Sequence, residues 1–213
     1  MKLAITNAIS SLFAIFLIAV TPAAGSPQPD SSIITGRAFT ATTPTFVGGS
    51  WIWSDNLFPN GSAPASSSAF RVAIQPAISL PLVNISIAIA ADNAYNLYFN
   101  GTFVGNGLDA FETPDEWTIL NVAGDVGPFI FAVLATNYDT PGPGPAGIIA
   151  NFQFSNNALG DTYSWWTGDA GWVAVPAYPD FDDSAWPVAV NEGAYGVGPW
   201  GILPALTQRT TCA

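Results

Sequence analysis

The residues able to do chemistry in this chain are acids and amides, and the usual catalytic base is missing. None of the 213 residues is histidine, which removes Ser-His-Asp and Cys-His nucleophilic arrangements and the usual zinc sites together. The 15 Asp and Glu residues leave one enzymatic route open, a carboxylate pair about 5 to 9.5 Å apart across a glycosidic bond. The simpler account of most of these acids is solvation, since they keep a sparsely charged surface in solution. Asp180, Asp182 and Asp183 precede Trp186, where capping a short turn is favoured over calcium ligation because the spacing is not that of an EF-hand. No glycine-rich loop with a phosphate-binding pattern is present. A net charge of -11 makes nucleic acid a poor partner.

The element that organises the rest is the stretch Ala90 to Gly107, AADNAYNLYFNGTFVGNG. Asn100-Gly101 suits a type I′ turn, in which both central residues take positive φ, so the stretch reads as a β-hairpin. The expected register pairs Phe99 with Thr102, Tyr98 with Phe103 and Leu97 with Val104. Tyr95, Leu97, Phe99 and Val104 then face the core, with Asn96, Tyr98 and Gly105 on the other face.

Before the hairpin, Trp51 to Trp53 and Ala69 to Gln75 read as strands, and Val83, Ile85, Ile87 and Ile89 alternate with Asn84, Ser86 and Ala88. After it come Glu116 to Asn121, the doubly apolar run Phe129 to Thr136, Gly147 to Phe154, Thr162 to Thr167 and Trp172 to Val175. Strands recur with short turn-rich gaps and no sustained helical period, so the fold expected is all-β, an antiparallel β-sandwich, with a closed barrel as the alternative.

Residues 1–25, with Lys2, the apolar run Leu12 to Val20 and small residues at 23–25, read as a secretory signal peptide. The run is shorter than the roughly 20 residues that span a bilayer, so no membrane span is expected in the mature chain. Residues 26–45 form a flexible lead-in, 46–205 the β domain and 206–213 a C-terminal tail. Cys212 is the only cysteine, which rules out an intrachain disulfide; a free thiol on the tail is favoured over an intermolecular bond. Asn60, Asn84 and Asn100 each begin an N-glycosylation sequon, and a glycan on Asn84 would stand on the outer face of its sheet.

Most of the 8 tryptophans are needed for burial in a core without crosslinks. Trp51 and Trp53, two apart, should share a core face, and one of Trp165 and Trp166 should lie outside the core. Trp117 is left as a candidate for stacking on a sugar ring.

Antiparallel succession sorts the connections into two ends. One end gathers 54–68, 91–93, 107–115 and 137–146, bringing acids and amides together; the other gathers 76–81, the Asn100-Gly101 turn and the connections near Asp125 and Ser155. The first end is the expected binding site for a glycan or other polyhydroxylated ligand. Asp92 and Asp139 would accept hydroxyl hydrogen bonds, Asn93 and Asn137 would fix orientation, and Trp117 or Tyr138 would offer a stacking surface. No cofactor is required, although a structural calcium beside these carboxylates is a candidate.

The residues also carry a resemblance that covers most of the mature chain. Trp51-Ile52-Trp53, Phe70-Arg71, Ala91-Asp92-Asn93-Ala94-Tyr95, Leu97-Tyr98-Phe99-Asn100-Gly101, Ala135-Thr136-Asn137 and Pro145-Ala146-Gly147 resemble the galactose-binding-domain-like jelly roll. Phe181-Asp182-Asp183-Ser184-Ala185-Trp186, Tyr195-Gly196 and Pro199-Trp200-Gly201 extend the match. The pattern is similar to the non-catalytic β-sandwich modules of α-L-rhamnosidases and to stand-alone secreted fungal lectin-like proteins. The resemblance implies a secreted, non-catalytic, carbohydrate-binding module. A structural or adhesion component of a cell wall or extracellular matrix is the second reading, and a glycosidase with paired carboxylates the third.

Overall fold

The computed structural model describes residues 43–75, 82–123, 128–138, 142–156, 161–176 and 182–210. The signal peptide, most of the lead-in, the 76–81 turn, Asp125, Asp139, Asp180 and Cys212 lie outside the described residues. The strands are β1 (Ser50–Trp53), β2 (Ser66–Ile74), β3 (Leu82–Asp92), β4 (Ala94–Phe99), β5 (Thr102–Gly107), β6 (Asp115–Ala123), β7 (Phe129–Asn137), β8 (Gly147–Asn156), β9 (Asp161–Trp166), β10 (Val173–Pro176), β11 (Val190–Ala194) and β12 (Thr207–Thr210).

They form two sheets, so the sandwich and not the barrel is the fold. One sheet has 7 strands in the order β11-β1-β8-β3-β6-β12, with β9 also paired to β8; the other has 5, in the order β10-β2-β7-β4-β5. All pairings are antiparallel except β12 with β6.

The β3 segment forms a strand because its β-branched residues fall on one face. Val83, Ile85, Ile87 and Ile89 are buried in the core between the sheets. Phe129 and Phe131 of β7 come down from the smaller sheet onto Phe154 and Phe152 of β8, with ring centroids 5.5 and 4.3 Å apart respectively. A second apolar cluster covers the far side of the larger sheet: Phe46, Trp51, Ala88, Ala90, Ile149 and Leu203, with Tyr195, Trp200 and Leu206 packed on it.

The hairpin turn is as expected, with φ of 46° at Asn100 and 79° at Gly101. Its register departs from expectation after two pairs. Phe99 faces Thr102 and Tyr98 faces Phe103, but a β-bulge then pairs Leu97 with Gly105 instead of Val104. The bulge turns Gly105 inward, where a Cβ would stand 2.1 Å from the Trp117 ring. Gly105 is therefore a core position whose missing side chain makes room for an indole.

Two tryptophan expectations are corrected. Trp51 and Trp53 are both fully buried but on opposite sides of the larger sheet, Trp53 between the sheets and Trp51 in the outer cluster. Alternation fails because Trp53 ends its strand and its indole follows the next loop, donating to Asn56 Oδ1 at 3.0 Å. Trp165 and Trp166 do face apart, yet neither is exposed: Trp165 joins the inner core, and Trp166 donates to the Thr45 carbonyl at 3.1 Å beneath the 45–49 segment. The tail is corrected as well, since residues 207–210 form an edge strand along β6.

Two substitutions test this packing. Gly101→Val should destabilise the chain by about 1–3 kcal/mol, because a β-branched residue is strained at positive φ. Gly105→Ala should cost about as much through overpacking against Trp117. Urea denaturation of both variants checks this, and a neutral Gly105→Ala would contradict the bulged register.

Candidate functional site

Between the end of β3 and the start of β4 the chain crosses from the larger sheet to the smaller in a single residue, Asn93. Every polar backbone group of that residue is used, and its side chain is too. Asn93 N donates to Thr136 O at 3.0 Å, and its carbonyl accepts from Ala110 N at 2.9 Å. Its Oδ1 accepts from Tyr138 N at 2.7 Å. The Asp92–Asn93 peptide bond is cis.

Asn137 makes the next tie. Its amide nitrogen donates to the carbonyls of Ala63 and Pro64 at 3.4 and 3.3 Å. Ala63 and Gly144 exchange backbone hydrogen bonds of 2.8 and 3.2 Å. The structure thus brings together the loops after β1, β3, β5 and β7, with Asn93 and Asn137 as the joints. Tyr138 stands half exposed, at 49%, on this end.

Asp92 lies just behind, 7% exposed, at the last position of β3. Trp200 donates its indole N–H to Asp92 Oδ2 at 2.8 Å and stacks on Trp51 with centroids 4.1 Å apart. The floor beneath both indoles is Gly147, opposite Asp92 in the ladder; a Cβ there would meet Trp51 at 2.9 Å and Trp200 at 3.0 Å.

Glu192 completes this corner. In the β1–β11 ladder Trp51 faces Gly193 and Ile52 faces Asn191, so Glu192 is the extra residue of a bulge. Burial, and secondarily the charge of Asp92, push its carboxyl up to about 8. Glu192 Oε1 and Trp51 Nε1 are buried without a hydrogen-bond partner among the described residues.

Other expected site residues lie elsewhere. Trp117 is 7% exposed, belongs to the core and donates to Tyr95 OH at 2.8 Å, so it offers no stacking surface to a ligand. Asp115 also points inward, fully buried, accepting from Tyr95 OH at 2.6 Å and from Arg209 Nε at 2.7 Å. Its neighbour Glu116 accepts from Gln208 of β12; burial raises the Glu116 carboxyl and this bond partly offsets the effect. Tyr95 is pushed well above the usual phenol range, first by burial and then by its bond to Asp115.

Asp55, Asp109 and Glu112 are exposed. Among the described residues no group of three or more His, Cys, Asp or Glu could hold a metal ion. Asp182 accepts from Ser184 N at 3.0 Å, which caps a short turn.

The sequons differ in their surroundings. Asn60 accepts from both N and Oγ of Ser62 in an exposed loop, at 3.2 and 2.7 Å. Asn84 accepts from Asn121 N at 3.0 Å across β3 and β6. Asn100 accepts from Ile130 N at 2.9 Å, tying the hairpin turn to β7.

Sequence reasoning assigned no role to Glu192 or Trp200. Glu192 lies in a polar edge strand without hydrophobic alternation, which leaves no local signal. Trp200 meets Asp92 across 108 residues of chain, a distance that no periodicity reports.

The sequence and the fold have relatives among known proteins. No protein-family model matches the chain. It is similar to an α-L-rhamnosidase of Streptomyces avermitilis, 33% identical over a 191-residue alignment that covers 83% of this chain and 18% of that protein. The solved structure of a Streptomyces avermitilis α-L-rhamnosidase complexed with L-rhamnose superposes with a TM-score of 0.62 at 28% identity, over 83% of this chain and 18% of that one. The Pleurotus ostreatus lectin, solved in apo form and in complex with GalNAc, matches with a TM-score of 0.63 at 35% identity, over 76% of this chain and 48% of the lectin. The chain thus spans about half of the lectin and less than a fifth of the rhamnosidase. The expected resemblance to a lectin and to part of α-L-rhamnosidases is shown by these neighbours, and the all-β fold is consistent with a galactose-binding-like domain.

Two measurements follow from the buried polar groups. Tyr95→Phe leaves Trp117 Nε1 and Asp115 Oδ2 each short of a partner and should destabilise by about 1–3 kcal/mol in urea unfolding. Glu192 retains its proton in the folded state between its ordinary value of 4.5 and about 8, where the unfolded carboxyl has released it. Its contribution therefore falls as pH rises through that window. The parent should lose more stability than Glu192→Gln between pH 5 and pH 8.5, as read from unfolding midpoints at the two pH values.

Proposed function

We propose that this chain is an exported carbohydrate-binding module that recognises a polyhydroxylated ligand at the Asn93 end of the sandwich and does not hydrolyse it. The observation that carries the reading is the similarity over most of the described domain to a lectin solved with GalNAc and to part of a rhamnosidase solved with L-rhamnose. The local geometry supports it. Asn93 and Asn137 lock four loops into one rigid end, Asp92 brings a carboxylate to the same place, and Tyr138 presents an exposed ring. Rigid loops lower the ordering cost of binding, and an aromatic face beside hydrogen-bonding groups suits a pyranose, which has apolar and polar sides.

Asp139, next along the chain from Tyr138, is the second hydroxyl acceptor in this proposal. Binding without catalysis fits the small share of the rhamnosidase that the chain spans. It also fits Asp92, whose Oδ2 is already committed to an indole. Export through residues 1–25 belongs to the same proposal, and recovery of the processed protein from culture medium tests that part.

Calorimetric titration with GalNAc and with L-rhamnose tests the binding. At least one sugar should bind, and Asp92→Ala and Asp139→Ala should abolish that binding without changing the circular dichroism spectrum. Tyr138→Ala should weaken it at an unchanged unfolding midpoint. Repeating the titration in EDTA separates two roles of Asp92, since loss of binding on chelation assigns its carboxylate to a cation instead of directly to sugar hydroxyls. Parent-like binding by the Asp92→Ala and Asp139→Ala variants would refute the site.

A further inference from the structure

The segment after β11 returns over the outer face of the larger sheet. Tyr195, Trp200, Leu203 and Leu206 lie on a surface made of Trp51, Ala88, Ala90 and Ile149. Most of this contact is apolar cover that any large side chain could provide. Trp200 does something more specific. Its ring fills the hollow left by Gly147, and its single polar atom reaches the carboxylate at the end of β3.

Asp92 is 7% exposed and close enough to Glu192 for its charge to be felt there, so an ionised side chain needs a fixed donor. The indole N–H supplies one at 2.8 Å, and the ring supplying it is held by its stack on Trp51 and by contact with the backbone at Gly147. Asp92 in turn adjoins Asn93, the joint of the loop end.

We propose that Trp200 is a positioning residue of the binding site: the strap 195–206 carries its indole to Asp92 and sets the direction in which the Asp92 carboxylate meets ligand. The proposal rests on the assignment of ligand binding to the Asn93 end. It makes binding depend on a residue about a hundred positions away in sequence, on the opposite side of the larger sheet from the core that holds the two sheets together. It also gives a purpose to the glycine at position 147, since a side chain there would lift the indole from Asp92.

Trp200→Phe removes the N–H while leaving an aromatic ring against Trp51, but it also withdraws the Cη2 and Cζ2 edge over Gly147, so a second variant that weakens the cover alone is needed beside it. Tyr195→Phe is the control: it loosens the same strap by deleting the acceptor of Leu203 N, at 3.2 Å, on a ring that packs against Phe46. Affinity for GalNAc and L-rhamnose and the thermal midpoint are measured for the parent, both variants and Asp92→Ala. The expected result is an affinity loss of about tenfold or more in Trp200→Phe, the scale of one charge-assisted hydrogen bond. Tyr195→Phe should bind like the parent even where its midpoint falls as far as that of Trp200→Phe.

Parent-like affinity in Trp200→Phe, with binding lost in Asp92→Ala, overturns the positioning role alone. Equal affinity losses in Trp200→Phe and Tyr195→Phe overturn it too, because the strap would then act only as cover. If Asp92→Ala binds like the parent, or the parent binds neither sugar, the site assignment itself fails and the positioning role falls with it.

Discussion

The structure depends on a layer of aromatic rings clamped between two sheets that no disulfide joins. Phe129 and Phe131 of the smaller sheet meet Phe154 and Phe152 of the larger, and Trp172 closes on Phe152 at 5.8 Å. Such contacts combine a large buried apolar area with preferred ring geometries, so they fix the distance and the angle between the sheets. The loops at the Asn93 end inherit their rigidity from that layer. β3 and β4 enter the loop end from different sheets, and a single residue can bridge them only while the sheets hold their spacing.

A sandwich of this kind would ordinarily show one dry face and one wet face on each sheet. The larger sheet here is dry on both sides for part of its width. Ala88, Ala90 and Gly147 are small, and the space they leave is taken by the indoles of Trp51 and Trp200 beneath the returning strap. Substituting a small residue on one strand for a large one on another preserves close packing. The same exchange occurs at Gly105, which yields its space to Trp117, and at Gly107, where a Cβ would stand 2.4 Å from the Tyr95 ring. Glycines along these strands thus mark where another segment's aromatic ring lies.

Charge is handled by inward hydrogen bonding as much as by exposure. Asp115 is buried with a phenol on one oxygen and the Arg209 guanidinium on the other, which fastens β12 to β6. Asp92 is buried with an indole donor, and Glu192 retains a proton near neutral pH because burial and that neighbouring charge both oppose ionisation. An acidic chain can therefore gather carboxylates near one end of the fold without the repulsion that their number alone suggests.

The succession of strands from β1 to β10, the type I′ turn at Asn100-Gly101 and the gathering of the loops after β1, β3, β5 and β7 were legible because they arise from local rules. Side chains alternate with period two, positive φ selects Asn and Gly, and antiparallel succession sends alternate loops to the same end. The same reasoning placed Asp92, Asn93, Asn137 and Tyr138 at one end of the fold, where the structure has them. The tertiary structure alone decided which aromatic residues were spare: Trp117, read as a sugar platform, is buried against Gly105, and Trp166 is buried under a segment 121 residues earlier in the chain. It also decided the bulges that turn Gly105 inward and place Glu192 beside Asp92, the parallel docking of β12, and the bond from Trp200 to Asp92. Each of these is a contact between residues far apart in sequence, set by how volumes and charges fit once the sheets close, and so no local pattern encodes it.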